Sequence, residues 1–207
     1  MRYLDFNEKE LTADLKETAL LEVRNVCSQC KNCELHKTRT NTVFADGTGY
    51  APVMLIGEAP GADEDASGIP FVGRAGKLLT AMLEEAGISR EKDLYICNTV
   101  KCRPPENREP LPVEKEACAV YLESQINIVR PKLIVLCGAT AATTFLGKGL
   151  KISQIRGNKY MLFDKIPATV IFHPSYLLRN HSEEVNSPRW HMKKDLEAIK
   201  KFIDNLK

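Results

Sequence analysis

Four short apolar runs narrow the fold more than any other feature: PVMLIGE at residues 52–58, DLYICNTV at 93–100, KLIVLCG at 132–138 and ATVIFHPS at 168–175. Their apolar residues stand mostly on consecutive positions, the pattern of strands covered on both faces. Between them lie helix-length stretches with their own punctuation. GKLLTAMLEEAGI stops at Gly87, and PVEKEACAVYLESQINIV opens on a proline suited to the first helical turn and runs up to Pro131. ATAATTFLG follows the third run, and residues 188–206 read as a closing helix. Within residues 11–26, Leu15, Ala19, Leu20 and Val23 lie near helical spacing. The alternation predicts an α/β fold: one three-layer α/β/α domain over residues 1–207 around a central, mostly parallel four-stranded sheet. The N-terminal helix and the cysteine-rich segment, within residues 1–40, are expected to pack on that core.

Such a sheet also predicts where chemistry sits. The runs end at Glu58, Asn98, Gly138 and His173, and open α/β sheets bind ligands beyond the carboxyl ends of their strands. The segment GEAPGADEDASGIPFVG, residues 57–73, leaves the first run at that place. It carries Glu58, Asp63, Glu64 and Asp65 before turning apolar at Phe71. With a formal charge of +2, a nucleic-acid footprint has to be a local patch. No apolar stretch reaches the ~18 residues of a membrane span. The N-terminal stretch is acidic and lacks an apolar signal core, which reads as a mature cytoplasmic protein.

Seven cysteines without an export signal point to metal or cluster ligation rather than disulfides. Cys97 and Cys137 fall inside apolar runs and read as small core residues. Cys27, Cys30, Cys33, Cys102 and Cys118 remain. Four thiolates that include a C-x2-C pair make a tetrahedral zinc site or an iron–sulfur cubane. Either Cys27–Cys30 or Cys30–Cys33 supplies the pair, and Cys102 and Cys118 flank a proline-rich loop. Spacing alone does not separate zinc from iron–sulfur.

The polar groups at the strand ends each have a plain alternative. The alternatives are a structural or surface role for His173, a turn cap for Asn98, core for Phe71, and a helix cap or solvated loop residue for Glu58. Their joint placement at one sheet edge favours chemistry. An Asn amide pairs donor and acceptor against a pyrimidine edge, and a Phe face stacks on a base. A His donates to oxygen where negative charge develops, and a carboxylate holds a water or stabilises a cationic sugar. Together they describe a pocket that takes an extruded base and cuts its glycosidic bond. Basic segments at residues 101–108, 148–159 and 179–194 are expected to hold the surrounding phosphates.

The segments CKNCELHKTRTNTVF, GEAPGADEDASGIPFVGRAGKLL, CNTVKCRPPENREPL, the helix of Cys118, QIRGNKY and HPSYLLRN follow in order through residues 27–200. They resemble the family 4 uracil-DNA glycosylases, the iron–sulfur branch of the uracil-DNA glycosylase superfamily. The resemblance implies a base excision repair enzyme that flips uracil out of DNA, hydrolyses its N-glycosidic bond and leaves an abasic site. It implies a [4Fe–4S] cluster on Cys30, Cys33, Cys102 and Cys118, with Cys27 spare. Phe71 would stack on uracil, Asn98 read its edge, Glu58 and Ala59 line the pocket and Glu64 border it. His173 would stabilise the departing anion, so that His173, Glu58 and Asn98 form the expected catalytic set. The water-positioning Asp of the classical enzymes falls at Ala59, which cannot be a base. Glu58 is then preferred over Glu64 for the water, along a dissociative path, so that at most one or two of the four acids would be catalytic and the rest solvated.

Arg179 is expected at a phosphate or groove, with Leu177 or Leu178 as a wedge into the base stack. Residues 103–117 contain no His, and no Lys is placed as a Schiff-base nucleophile. A monofunctional, turning-over enzyme is therefore expected, acting as a monomer on uracil-containing DNA, single- or double-stranded, in the cytoplasm and away from membranes. Two other readings are a non-enzymatic metal- or cluster-bearing nucleic-acid-binding module and a zinc-bound hydrolase. The module would not account for Asn98, Phe71 and His173 together.

Overall fold

The structure, a computed structural model, describes residues 11–206. The acidic residues 1–10, on which the expectation about a leader rests, lie outside the described residues. The four apolar runs are the strands β2 (Val53–Gly57), β3 (Leu94–Asn98), β4 (Leu133–Cys137) and β6 (Ile166–Ile171), all mutually parallel. The sheet nevertheless has six strands rather than four, in the order β1-β3-β2-β4-β6-β5. The additional edges, β1 (Asp46–Gly47) and β5 (Lys159–Leu162), are antiparallel to their neighbours.

Both edges lack the signals that marked the centre. β1 is two residues long, and β5 shows only Leu162 fully buried. The turn from β5 into β6 places Phe163 and Asp164 at φ 53° and 56°. That left-handed pair makes a tight hairpin without the glycine that usually announces one.

Among the described residues eight α-helices accompany the sheet: α1 (Ala13–Ser28), α2 (Ala62–Ser67), α3 (Arg74–Glu85), α4 (Pro112–Val129), α5 (Ala139–Leu146), α6 (Ile152–Ile155), α7 (Pro174–Leu177) and α8 (Pro188–Asp204). One face packs Met54, Ile56, Tyr95, Ile134, Leu136 and Val170 against residues of α1, α4 and α5. The other packs Val53, Leu55, Ile96 and Val135 against α3 and α8. Each fully buried Leu or Ile contributes about 1.5–3 kcal/mol, and consecutive burial in opposite directions is why the strands read as unbroken apolar runs. The chain leaves β2 first toward β3 and later toward β4. The crevice between the carboxyl ends of β2 and β4 is thus a topological switch point.

Candidate active site

A cavity of about 460 Å³ opens at that switch point. It is lined by Glu58 and Ala59 after β2, Asn98 at the end of β3, Cys137 and Gly138 after β4, and His173 after β6. Glu64 and Phe71 close it from the β2–α3 connection, and Asn107 and Arg108 from the proline-rich loop. All six residues singled out as uracil-contacting from the sequence therefore border one space.

Phe71 is held there by its backbone. It is 7% exposed and sits at φ 53°, a left-handed conformation that costs a non-glycine residue roughly 1–3 kcal/mol. Neighbouring groups enforce it. The Arg90 guanidinium donates to the carbonyls of Pro70 and Phe71, to Thr80 Oγ1 at 3.2 Å and to Asp46 Oδ2 at 2.8 Å. Two glycines make room. A Cβ on Gly76 would lie 2.0 Å from the Phe71 carbonyl carbon, and one on Gly57 would lie 2.5 Å from Phe71 Cζ. Arg90 was not anticipated from sequence, because an arginine between α3 and β3 carries no local signal of its target.

Asn98 is 2% exposed, and its side-chain amide has no partner among the described residues. The residue lines the cavity, so the amide's donor and acceptor are available to a ligand there. The His173 ring stands 5.9 Å from the Phe71 ring, centroid to centroid. The Ser175 backbone N–H donates to His173 Nδ1 at 3.2 Å, with Ser175 Oγ 2.7 Å from the same nitrogen. A neutral ring with Nδ1 accepting carries its proton on Nε2. Burial pushes His173 down from 6.5 to about 4, with Glu64 pulling weakly the other way. It is a neutral donor at physiological pH.

The four acids of the opening segment divide differently from the expectation that most are solvated. Residues 62–67 form α2, and Asp63, Glu64 and Asp65 occupy its first turn, where carboxylates complement the helix dipole. Only Asp63 is exposed. Asp65 is 4% exposed and accepts from the backbone N–H groups of Thr40 and Asn41. Glu64 borders the cavity, yet its oxygens accept from Gly61, Val72 and Gly73 N–H at 2.9–3.0 Å. It fixes the connection that carries Phe71. Glu58 is half-buried, and burial raises its carboxyl above the ordinary 4.5, offset in part by a hydrogen bond from Thr140.

Behind the β3 end, Cys27, Cys30, Cys33, Cys102 and Cys118 line a second, small void together with Lys101, Arg39 and Tyr121. Cys27, the spare thiol, lies on the same void as the other four. Burial pushes Cys27 and Cys118 up to about 12 and raises Cys33 and Cys102, so these thiols stay protonated unless an electrophile binds them. Among the described residues no three His, Cys, Asp or Glu side chains close on one point as a single-ion site does. Two basic residues border the same void. Arg39 Nη1 donates to Cys102 Sγ at 3.0 Å, and Lys101 is 1% exposed with no carboxylate partner among the described residues. A buried lysine without a counter-charge is strongly unfavourable. The donor set therefore fits an anionic, thiolate-ligated group in the void.

The expected DNA contacts need two corrections. Leu177 is fully buried between α3 and α8 and cannot enter a base stack; Leu178 is half-buried and Tyr176 is 39% exposed on the same turn. Lys101 is inside the protein and cannot reach a phosphate. Arg108, Arg156, Arg189, Lys193 and Lys194 are engaged by Glu114, Asp195, Glu183, Glu85 and Glu197. Arg179, Lys148, Lys151 and Lys159 are exposed and have no ion-pair partner among the described residues.

The profile of the uracil DNA glycosylase superfamily matches residues 44–200. The type-4 uracil-DNA glycosylase of Thermotoga maritima is 48% identical over 84% of this chain and 90% of its own length. That of Archaeoglobus fulgidus is 45% identical over 75% and 81%, and that of Sulfurisphaera tokodaii 41% identical over 78% and 77%. The match extends through every strand end that lines the cavity, and by it the chain belongs to the uracil-DNA glycosylase superfamily, among the type-4 uracil-DNA glycosylases.

Proposed function

We propose that the protein excises uracil from DNA by hydrolysing its N-glycosidic bond, releasing free uracil and leaving an abasic site. The observation that carries this is the meeting of Phe71, the unpartnered Asn98 amide and a neutral, Nε2-protonated His173 around one cavity at the sheet's switch point. Phe71 stacks on the flipped base and Asn98 pairs with its edge. As the bond between C1′ and N1 of uracil breaks, its electron pair passes to the base and the sugar becomes oxocarbenium-like. His173 Nε2–H stabilises the anion on the uracil oxygen, charge that exists only as the bond opens. Water then adds to C1′, Glu58 accepts its proton, and the uracil anion is protonated on release. Glu58 is favoured over Glu64 because three backbone donors already occupy the Glu64 oxygens.

Cys30, Cys33, Cys102 and Cys118 are the ligands we assign to a [4Fe–4S] cluster. Such a cluster supplies a structural crosslink joining the end of α1, the segment after β3 and α4. The seven free thiols suit a reducing, cytoplasmic setting. Leu178 is the wedge and Arg179 the phosphate contact.

An oligonucleotide with a single uracil, incubated with excess enzyme, tests the reading. Uracil release is expected, with His173→Ala slowed about 10²–10³-fold, as for loss of an oxyanion donor. Near-wild-type rates for both His173→Ala and Asn98→Ala would remove this cavity as the active site.

A further inference from the structure

We propose that Lys101 is a positioning residue that couples the cysteine void to the base-reading Asn98; the proposal rests on the cluster reading above. Lys101 Nζ donates to the Asn98 backbone carbonyl at 2.7 Å and to Gln125 Oε1 at 2.6 Å. The same residue's backbone N–H donates to Cys118 Sγ at 3.3 Å, and the next residue is Cys102. One residue thus holds the end of β3 with its side chain and borders the void with its backbone.

Gln125 has no freedom to choose another role. It is fully buried, and its Nε2 donates to the Phe44 carbonyl and to Tyr95 Oη, both at 3.0 Å. Only its oxygen is left for the lysine. Gln125 and Cys118 share α4, while Tyr95 and Asn98 share β3. The network therefore ties the helix that supplies a thiol to the strand that supplies the base-reading amide.

The charge is the physical reason for coupling. Both acceptors of Lys101 are neutral, and no carboxylate pairs with it among the described residues. Lys101 lines the same void as Cys27 and Cys118. A thiolate-ligated cluster carries net negative charge and keeps the ammonium where it grips the Asn98 carbonyl. Without that charge, hydration favours drawing Lys101 outward, and the 98–102 segment has to open for it to leave. The Asn98 amide is then no longer fixed over the cavity.

The experiment uses the iron-loaded full chain and two variants. Lys101→Met keeps the unbranched length but removes the charge and the donor. Gln125→Glu keeps Lys101 and offers it a carboxylate that competes with the cluster. Visible absorbance near ~400 nm and iron content report the cluster, and its reduction midpoint reports the local charge. Expected for Lys101→Met are a midpoint shifted to more negative potential and single-turnover uracil release slowed by about 10–10²-fold. DNA affinity is expected to stay within about twofold, since Lys101 touches no phosphate. Gln125→Glu is expected to shift the midpoint in the same direction, and it decides the matter if Lys101→Met does not fold. A wild-type midpoint and rate in the variant that folds overturn the coupling while leaving the cluster in place. A wild-type protein that is active without iron overturns the cluster reading, and this proposal with it.

Discussion

Gly57→Ala is the most direct test of how the cavity is built. The added methyl would lie 2.4 Å from Asn98 Oδ1, 2.5 Å from Phe71 Cζ and 2.8 Å from Phe71 Cε2. All three are closer than real Cβ contacts, so Asn98 or Phe71 has to move. Phe71 cannot retreat through its backbone, which Arg90 clamps and Gly76 backs. The displacement falls on the ring and on the amide, the two groups assigned to the base. Overpacking costs about 1–3 kcal/mol. If that is taken up at the ligand-facing side, kcat/KM falls about 5- to 150-fold at 1.36 kcal/mol per decade. The fold loses little, because the ring moves into a cavity of about 460 Å³. A Tm loss of no more than about 4 °C, near 1 kcal/mol for this size, is expected. Single-turnover uracil release against enzyme concentration, with a thermal melt of the same sample, measures both. Gly68→Ala is the control. Its φ is 76° and nothing lies within 3.9 Å of the new methyl, so it strains the end of α2 and lowers Tm without slowing cleavage. Gly57→Ala cleaving at the wild-type rate, or losing activity only in proportion to unfolded protein, would falsify the placement of base between Phe71 and Asn98.

Arg90→Lys keeps a charge but cannot span four acceptors; about a tenfold or greater slowing of single-turnover release is expected with uracil-over-cytosine preference intact, and unaltered rates would detach Arg90 from Phe71. The pH–rate profile separates the forms of His173: with its pKa lowered to about 4 and Glu58 raised above 4.5, the rate climbs with pH as Glu58 ionises and then stays level. A fall between about pH 6 and pH 8 would instead mark a protonated His173 as the working form. Leu178→Ala is expected to weaken flipping in duplex DNA with the fold intact, whereas Leu177→Ala costs about 2–5 kcal/mol of stability; a stable, flipping-deficient Leu177→Ala would reverse the pair. Cys30→Ala, Cys33→Ala, Cys102→Ala and Cys118→Ala are each expected to lose absorbance near ~400 nm. Cys27→Ala is expected to keep it, and a bleached Cys27→Ala beside a brown Cys33→Ala would exchange the ligands.

The legible parts of this chain are those where one local pattern fixes one physical outcome. Consecutive apolar residues with burial on both faces exposed β2, β3, β4 and β6 in sequence, and their ends placed Glu58, Asn98 and His173 on one edge. β1 and β5 escaped because an edge strand has one partner, a short ladder and one wet face, so neither length nor apolarity marks it. The α2 helix escaped because an acidic stretch with one alanine at each end reads as loop until its carboxylates are seen accepting backbone N–H groups. Leu177 and Leu178 are equivalent in sequence, and only the direction of the turn after His173 buries one and leaves the other near the surface.

On the proposed mechanism the pocket does without a carboxylate at Ala59. Glu64 and Asp65 together accept from five backbone N–H groups, those of Gly61, Val72 and Gly73 on Glu64 and those of Thr40 and Asn41 on Asp65. These bonds spend two carboxylates on shape: they hold α2 and the connection after it, and so permit Phe71 its left-handed backbone. What remains for chemistry is one half-buried carboxyl and one neutral histidine. Burial makes Glu58 a better proton acceptor once ionised and keeps His173 a neutral donor at physiological pH. A site so equipped lowers the barrier chiefly where negative charge collects on the leaving base, and asks of the water only that it be present when the sugar becomes cationic. On that proposed ordering an alanine at position 59 is tolerable, and His173→Ala is expected to slow the reaction more than Glu58→Gln.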